Sequence, residues 1–224
     1  MASSKRFPDD GMRPDLVTGT DWDGYLGFAT IHNPKTIRIP SGIMPFVYRH
    51  CGLSSDEAIL FHKTESRFYD FLRHPEKYVD ELKHYIVISP GCAESRNLNY
   101  IQVMALIYRN RQYGHYLQSK GVYVVPFINL GFPCAFRTDL VHEKMAYLGL
   151  EKGGIYAIST CGCIDTAEDR KEFRFELEDT IRTLHPQVIL VWGDMPDDIF
   201  EDLKNDTRFV HYPDWVTELY GSKG

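Results

Sequence analysis

The sequence predicts an α/β fold in which mainly parallel strands alternate with helices, TIM-barrel-like, complete or incomplete, rather than an open doubly wound sheet. Three observations lead there. Seven short runs of strand character recur along the chain, and most are continuously apolar rather than alternating, as strands buried on both faces require. Several of the segments between them carry apolar residues at helical spacing. No G-x-G-x-x-G turn marks a dinucleotide-binding half of a doubly wound sheet.

Taken in order, residues 1–33 carry Pro8, Gly11, Pro14, Gly19, Gly24 and Gly27 without sustained periodicity, and read as an irregular arm packed on the core. Trp22, Tyr25 and Phe28 are its expected buried anchors. Residues 34–224 then form a single α/β domain. Its expected strands are Thr36 to Ile39, Ala58 to Phe61, Tyr85 to Ser89, Val122 to Ile128, Ile155 to Ser159, Val188 to Trp192, and Phe209 to Tyr212. Arg67 to Leu82 is helical with a break at Pro75. Asn97 to Ser119 is the clearest helix: Ile101, Met104, Ala105, Tyr108 and Tyr116 share a stripe, Asn97 is the expected N-cap and Gly121 follows the end. Asp169 to Leu184 repeats the logic, with Phe173, Leu177, Ile181 and Leu184 on one face and His185-Pro186 as the stop. Asp197 to Lys204 is a short helix after the strand ending at Trp192.

Composition narrows the function. The 224 residues carry a formal charge of −6, which argues against a protein dedicated to coating DNA, since that needs an excess of Lys and Arg on one face. With 43% hydrophobic residues the chain has ample core material, so wholesale disorder is excluded. No apolar stretch is long enough to span a bilayer and Met1 to Asp10 lacks the apolar core of an export signal, so the expectation is a cytoplasmic protein with no membrane partner. An odd count of five cysteines suits free thiols or a metal site better than a disulfide framework.

Five stretches taken together resemble a known family. They are Pro75-Glu76-Lys77-Tyr78, Tyr108-Arg109-Asn110-Arg111, Gly121-Val122-Tyr123-Val124-Val125-Pro126, Ile158-Ser159-Thr160 with Gly162-Cys163, and Val191-Trp192-Gly193. In this order and spacing, across about two thirds of the chain, they resemble an uncharacterised domain family found in bacteria, archaea and their phages and mobile elements. The resemblance implies a phage or mobile-element origin and no assigned activity. The chain departs from it at Pro90-Gly91, where relatives tend to carry Pro-Asp, and at Leu130, where an aromatic is frequent.

In parallel α/β folds, ligands meet the loops leaving the carboxyl ends of the strands, where several loops converge and helix N-termini present free N–H groups. The residues expected there are polar and small. Ser89, Asn129, Thr160 and Lys63 are the candidate ligand-binding residues, for a small phosphorylated or nucleotide-like ligand; neither Ser89-Pro90-Gly91-Cys92 nor Ser159-Thr160-Cys161-Gly162 is a Walker loop. Glu65 and Asp194 are the candidate acid–base pair, with helix capping the ordinary alternative for Asp194. No G-x-S-x-G elbow supports a serine triad.

Cys92, Cys134, Cys161 and Cys163 all follow expected strands, and with His62 or His211 they would make a tetrahedral zinc site. Cys161-x-Cys163 is nonetheless a poor signature beside paired C-x-x-C knuckles, and buried free cysteine is common, so zinc is not the favoured reading. Arg109 and Arg111 leave a helix in nearly opposite directions and lie beyond its first turn, so they read as structural ion pairs to neighbouring acids. The alternative to an enzyme-like protein is a non-enzymatic module binding nucleic acid or a host protein, through basic residues near the N-terminus and exposed aromatics.

Overall fold

A computed structural model describes residues 13–51, 54–61, 68–91, 98–139 and 141–214. Two short antiparallel strands come first, β1 (Trp22–Asp23) and β2 (Phe28–Ala29). Seven parallel strands follow: β3 (Ile43–Pro45), β4 (Ala58–Leu60), β5 (Ile86–Ile88), β6 (Tyr123–Val125), β7 (Ile155–Ser159), β8 (Val188–Trp192) and β9 (Arg208–Tyr212). The first four of these form one sheet and the last three another, each with its strands side by side in chain order. A parallel bridge between Phe127 and Ala157 joins them, with Ile128 N–H donating to Ala157 O at 2.8 Å and Ala157 N–H donating to Pro126 O at 2.9 Å. The molecule is therefore a mixed α/β fold of parallel sheets alternating with helices. The strand ladder does not close between β9 and β3 among the described residues; the Tyr212 hydroxyl instead donates to Pro40 O at 2.6 Å.

The expected first strand is displaced. Thr36 to Ile39 has β-branched character, but its backbone is held by a side chain: Arg38 N–H donates to the Tyr123 hydroxyl at 2.8 Å, which donates to Thr36 O at 3.1 Å. Pro40 then interrupts the run, and the chain enters the sheet three residues later. The arm also differs from expectation. It contains the β1–β2 pair, and of its three aromatic anchors only Phe28 is buried, edge-on to Tyr108 at 5.7 Å, whereas Trp22 is 56% and Tyr25 91% exposed.

The helices form where the spacing places them, and capping boxes set the starts of the two long ones. Pro75 splits α1 (Tyr69–Arg73) from α2 (Val79–Leu82). The long helix α3 (Tyr100–Ser119) is capped by Asn99, not Asn97: the Asn99 side chain accepts from Gln102 N–H while Gln102 Oε1 accepts from Asn99 N–H. Thr166 and Asp169 form the same reciprocal pair at the start of α4 (Ala167–Leu184), and α5 (Asp197–Phe200) follows β8.

Because both sheet faces are dry, alternate residues of each strand feed different cores. Ile59, Val87 and Val124 pack against Phe71, Tyr113 and Leu117 of the helices, and Tyr156, Ile158, Ile189 and Val191 pack with Phe173 and Leu177 of α4. The other parity (Ile43, Leu60, Ile88, Val125, Ala157, Leu190, Tyr212) forms one cluster shared by all seven parallel strands. That cluster is the inner core, and its upper layer, Phe127 with Trp192 and Tyr212, floors the strand carboxyl ends.

One buried charge ties α4 to the loop before β7. Burial alone would push the Asp179 carboxyl up, but Lys144, Tyr147 and Arg182 donate to it at 2.6 to 2.8 Å and hold it below the usual carboxylate range. A lowered native value means that this stability is present above about pH 4 and is lost as pH falls below the carboxylate range. Asp179→Asn is expected to cost about 2 kcal/mol at neutral pH and to flatten the acid limb of the stability profile, read by urea denaturation from pH 2 to 7. An unchanged acid limb would remove Asp179 as its source.

Candidate functional site

The strand ends sort by the same parity. On the helix-facing side lie Ser89 and Thr160, both buried. The Ser89 hydroxyl oxygen accepts from Asn110 Nδ2 and from Phe127 N–H, each at 2.8 Å, so it locks the ends of β5 and β6 to α3. Thr160 does the equivalent for β7 and β8, donating its hydroxyl to Asp194 O at 2.7 Å while its N–H donates to Trp192 O at 3.0 Å. Both hydroxyls are thus engaged in holding the loops in place. Ser89→Ala is expected to leave the buried Phe127 N–H unpaired, while Asn110 Nδ2 keeps its bond to Ser89 O at 3.1 Å, and to cost about 2 kcal/mol, measured by chemical denaturation; a loss below about 0.5 kcal/mol would show that the lock is unimportant.

On the inner side lie Asn129, Ser159 and Cys161, with Asp194 and Asp214 on the loops leaving β8 and β9. Asn129 continues the parity of Val125 and Phe127, and the Phe127–Ala157 bridge sets it level with Ser159. It is only 6% exposed, yet its side-chain amide nitrogen has no hydrogen-bond partner. The Ser159 hydroxyl oxygen accepts from Cys161 N–H at 3.2 Å. Burial pushes the Cys161 thiol up, and the nearby carboxylates of Asp214 and Asp194 push it further, so it is a neutral thiol at physiological pH. Asp194 is exposed at the rim and Asp214 half-buried.

Gly193 makes this convergence possible. Its φ of +99° lies where only glycine rests easily, and a Cβ there would stand 2.6 Å from Thr160 Oγ1 and 2.7 Å from Cys161 Sγ. Its N–H donates to Tyr212 O at 2.9 Å and its carbonyl meets His211 Nε2 at 2.8 Å, so the ends of β7, β8 and β9 are pinned around one residue.

Of the residues singled out from sequence, the fold brings Asn129, Cys161 and Asp194 to one side and turns Ser89 and Thr160 to the other. Glu65, Lys63 and Cys92, with His62, lie outside the described residues. The remaining cysteines do not converge: Cys161 Sγ donates toward Trp192 O, Cys163 Sγ toward Leu130 O and Cys161 O, and Cys134 sits on the turn Pro133–Phe136, its thiol raised by burial. Among the described residues no group of three or more His, Cys, Asp or Glu side chains is arranged to hold a metal ion. His211 is likewise turned to Gly193 O.

Arg111 has the structural role expected of it, but with other partners, and Asn110 is support that sequence reasoning missed. Arg111 is fully buried and donates to Leu148 O at 2.7 Å, Ala146 O at 2.8 Å, Phe127 O at 3.2 Å and the Asn110 side-chain oxygen. These partners are neutral oxygens, which corrects the expected ion pair to an acid; burial pulls the guanidinium down to about 9, still charged at neutral pH. Ser89, Asn110, Arg111 and Phe127 close a ring of hydrogen bonds two residues before Asn129 in the chain. Cavities of about 500 and 660 Å³ lie at the opposite ends of the strands, around Pro186 and Asp206, and one of about 210 Å³ lies outside the sheet between Phe136 and Phe175.

No helix among the described residues is long and apolar enough to cross a membrane. The chain is similar to the Gene 1 protein of Mycobacterium phage L5, 26% identical over 175 residues that cover 76% of this chain and 73% of that protein. It is also similar to the Gene 1 protein of Mycobacterium phage D29, 24% identical over 147 residues covering 65% of this chain and 52% of that protein, about half its length. No solved structure matches. Residues 22–213, from β1 to just past β9, match the model of the domain of unknown function DUF4417, and the chain belongs to that family.

Proposed function

We propose that the protein is a cytoplasmic, phage-associated, enzyme-like module that binds a small nucleotide-like or phosphorylated ligand at the carboxyl ends of β6 to β9. The reading takes the fold as an incomplete TIM-like barrel. Support comes from the chain-order arrangement of the seven parallel strands, from the inner core they share and from the Tyr212–Pro40 tie across the unclosed edge. The observation that carries the ligand site is the Asn129 amide, buried on the inner side with its nitrogen unpartnered. Folded proteins pair such donors, so a donor left unpaired at the mouth of a parallel sheet is a donor reserved for a solute. Asp194, at the rim, handles protons, and the neutral Cys161 and the Ser159 hydroxyl line the space between them.

The test is ligand-induced thermal stabilisation of the full chain across nucleosides, nucleotides and inorganic phosphate. Asn129→Ala combined with Asp194→Ala is expected to abolish the stabilisation while leaving the apo melting temperature nearly unchanged. Equal stabilisation of the double variant would overturn the site.

The exposed Trp22 and Tyr25 favour a second reading, a module binding nucleic acid or a host protein through its arm. Retention of RNA or DNA that falls steeply with salt and is lost in Trp22→Ala, Tyr25→Ala would support it. Salt-insensitive or absent retention would remove the nucleic-acid form.

A further inference from the structure

The β1–β2 hairpin is pinned to the body of the molecule yet turns two large rings outward. Asp23 Oδ2 accepts from Gly149 N–H at 2.8 Å, and Ile31 N–H donates to Gly149 O at 2.9 Å. At the turn, Gly27 N–H donates to Gly24 O at 3.3 Å, and Tyr25 N–H donates to Glu143 Oε2 at 2.7 Å. Gly24 has a φ of +70°, and a Cβ there would stand 2.5 Å from Leu148 Cδ2, so glycine lets the turn sit this close to the loop before β7. Trp22 and Tyr25 are exposed all the same, and the Trp22 ring lies beside Gly27, the last residue of the turn that carries Tyr25. Both rings are thus offered on a backbone that is already ordered, and Trp and Tyr are the side chains that dominate binding hot spots.

The charge around these rings is predominantly negative. No Lys or Arg occurs between Arg13 and Lys35, whereas Asp15, Asp21 and Asp23 do. Asp15 is taken by Arg13 at 2.7 Å. Asp21, next to Trp22, has a side chain that is 82% exposed, and His32, 3.5 Å from it, lies closer to Glu151, at 2.9 Å. Glu143 holds the Tyr25 N–H, and its neighbour Lys144 is committed to Asp179. An aromatic face carries partial negative charge, so rings flanked by carboxylates attract a cation, whereas a phosphate backbone meets like charge.

We infer that the hairpin docks an arginine-bearing segment of a partner protein, a guanidinium lying flat on the Trp22 or Tyr25 ring and pairing with the carboxylate of Asp21 or Glu143. Arginine suits this surface better than lysine, because its planar fork stacks on a ring while donating to a carboxylate. The inference rests on the second reading above, the arm as a contact surface, in its protein-binding form, and is independent of the Asn129 site.

Fluorescence anisotropy of labelled probes with the full chain tests this, using Gly-Arg, Gly-Lys and Gly-Glu repeat peptides and a single-stranded RNA of mixed sequence. The Gly-Arg peptide is expected to bind most tightly, Gly-Lys more weakly and Gly-Glu not at all. Trp22→Ala combined with Tyr25→Ala leaves every charge in place, so a loss of at least about tenfold for Gly-Arg assigns the binding to the rings and not to the net charge of −6. Asp21→Asn is expected to weaken Gly-Arg about twofold to fivefold, the scale of one exposed ion pair. These variants change exposed side chains, so melting temperatures within about 2 °C of the wild type serve as the folding check. A double variant that binds Gly-Arg as tightly as the wild type would overturn the inference. RNA bound more tightly than Gly-Arg, and lost in the same double variant, would overturn the arginine assignment and leave the arm as a contact surface. Absence of binding by every probe would overturn both.

Discussion

Arg111→Ala is expected to destabilise the protein by about 5 kcal/mol or more, most of the stability of an ordinary domain, and to leave little soluble protein. The guanidinium serves four buried oxygens, those of Leu148, Ala146, Phe127 and the Asn110 side chain. Removing it strands them at about 1–3 kcal/mol each, besides opening a cavity within the layer between α3 and the loop around Gly149. Arg111→Lys is not conservative at such a site, because a single ammonium cannot reach acceptors spread across a planar fork. Arg111→Met keeps the stem volume and isolates the lost donors, and urea denaturation of this variant measures their worth directly. A midpoint within 1 kcal/mol of the wild type would mean that the oxygens find other donors and that Arg111 does not organise the strand ends. The expected consequence reaches the site, since the same fork fixes Phe127 O two residues before Asn129.

What could be read from the chain follows from what is local. Runs such as Val188 to Trp192 and Ile155 to Ser159 are strands to the residue, because a continuous β-branched run buried on both sides has few competing conformations. Helix starts were legible to within a few residues, since Asn99–Gln102 and Thr166–Asp169 are adjacent pairs whose chemistry is self-contained. Thr36 to Ile39 was not legible, because its backbone partner is the hydroxyl of Tyr123, far along the chain. The site suffered from a related blindness. Apolar residues on both faces erase the polar–apolar contrast that would reveal parity, so Ser89 and Asn129 look equivalent in sequence although one faces α3 and the other the inner core. Counting in twos back from each strand end, to Val87 for Ser89 and to Phe127 for Asn129, separates them once a neighbouring strand fixes the register. Arg111 was misread for the opposite reason: its charge suggested an acid, whereas loop carbonyls from residues 146 and 148 supply the acceptors, and no sequence pattern announces them.

Asn129→Leu is expected to raise the melting temperature of the free protein by several degrees while abolishing nucleoside binding. A buried amide nitrogen without a partner carries a desolvation cost of about 1–3 kcal/mol, and leucine, of the same branched shape though bulkier, removes it on the side of the inner core that holds Phe127. In a chain of this size each kcal/mol is worth about 2–4 °C. An amide kept for packing would behave in the opposite way, since its loss would break contacts and lower the melting temperature. The pairing of a stability gain with a binding loss is therefore the signature of a residue retained for a solute at the expense of the fold. Scanning calorimetry of the two proteins with and without each nucleoside and nucleotide of the panel gives both numbers in one experiment. A destabilised Asn129→Leu that still binds the wild type's ligand would show that the amide serves the fold and not a ligand, and the site would have to be sought elsewhere on the strand ends.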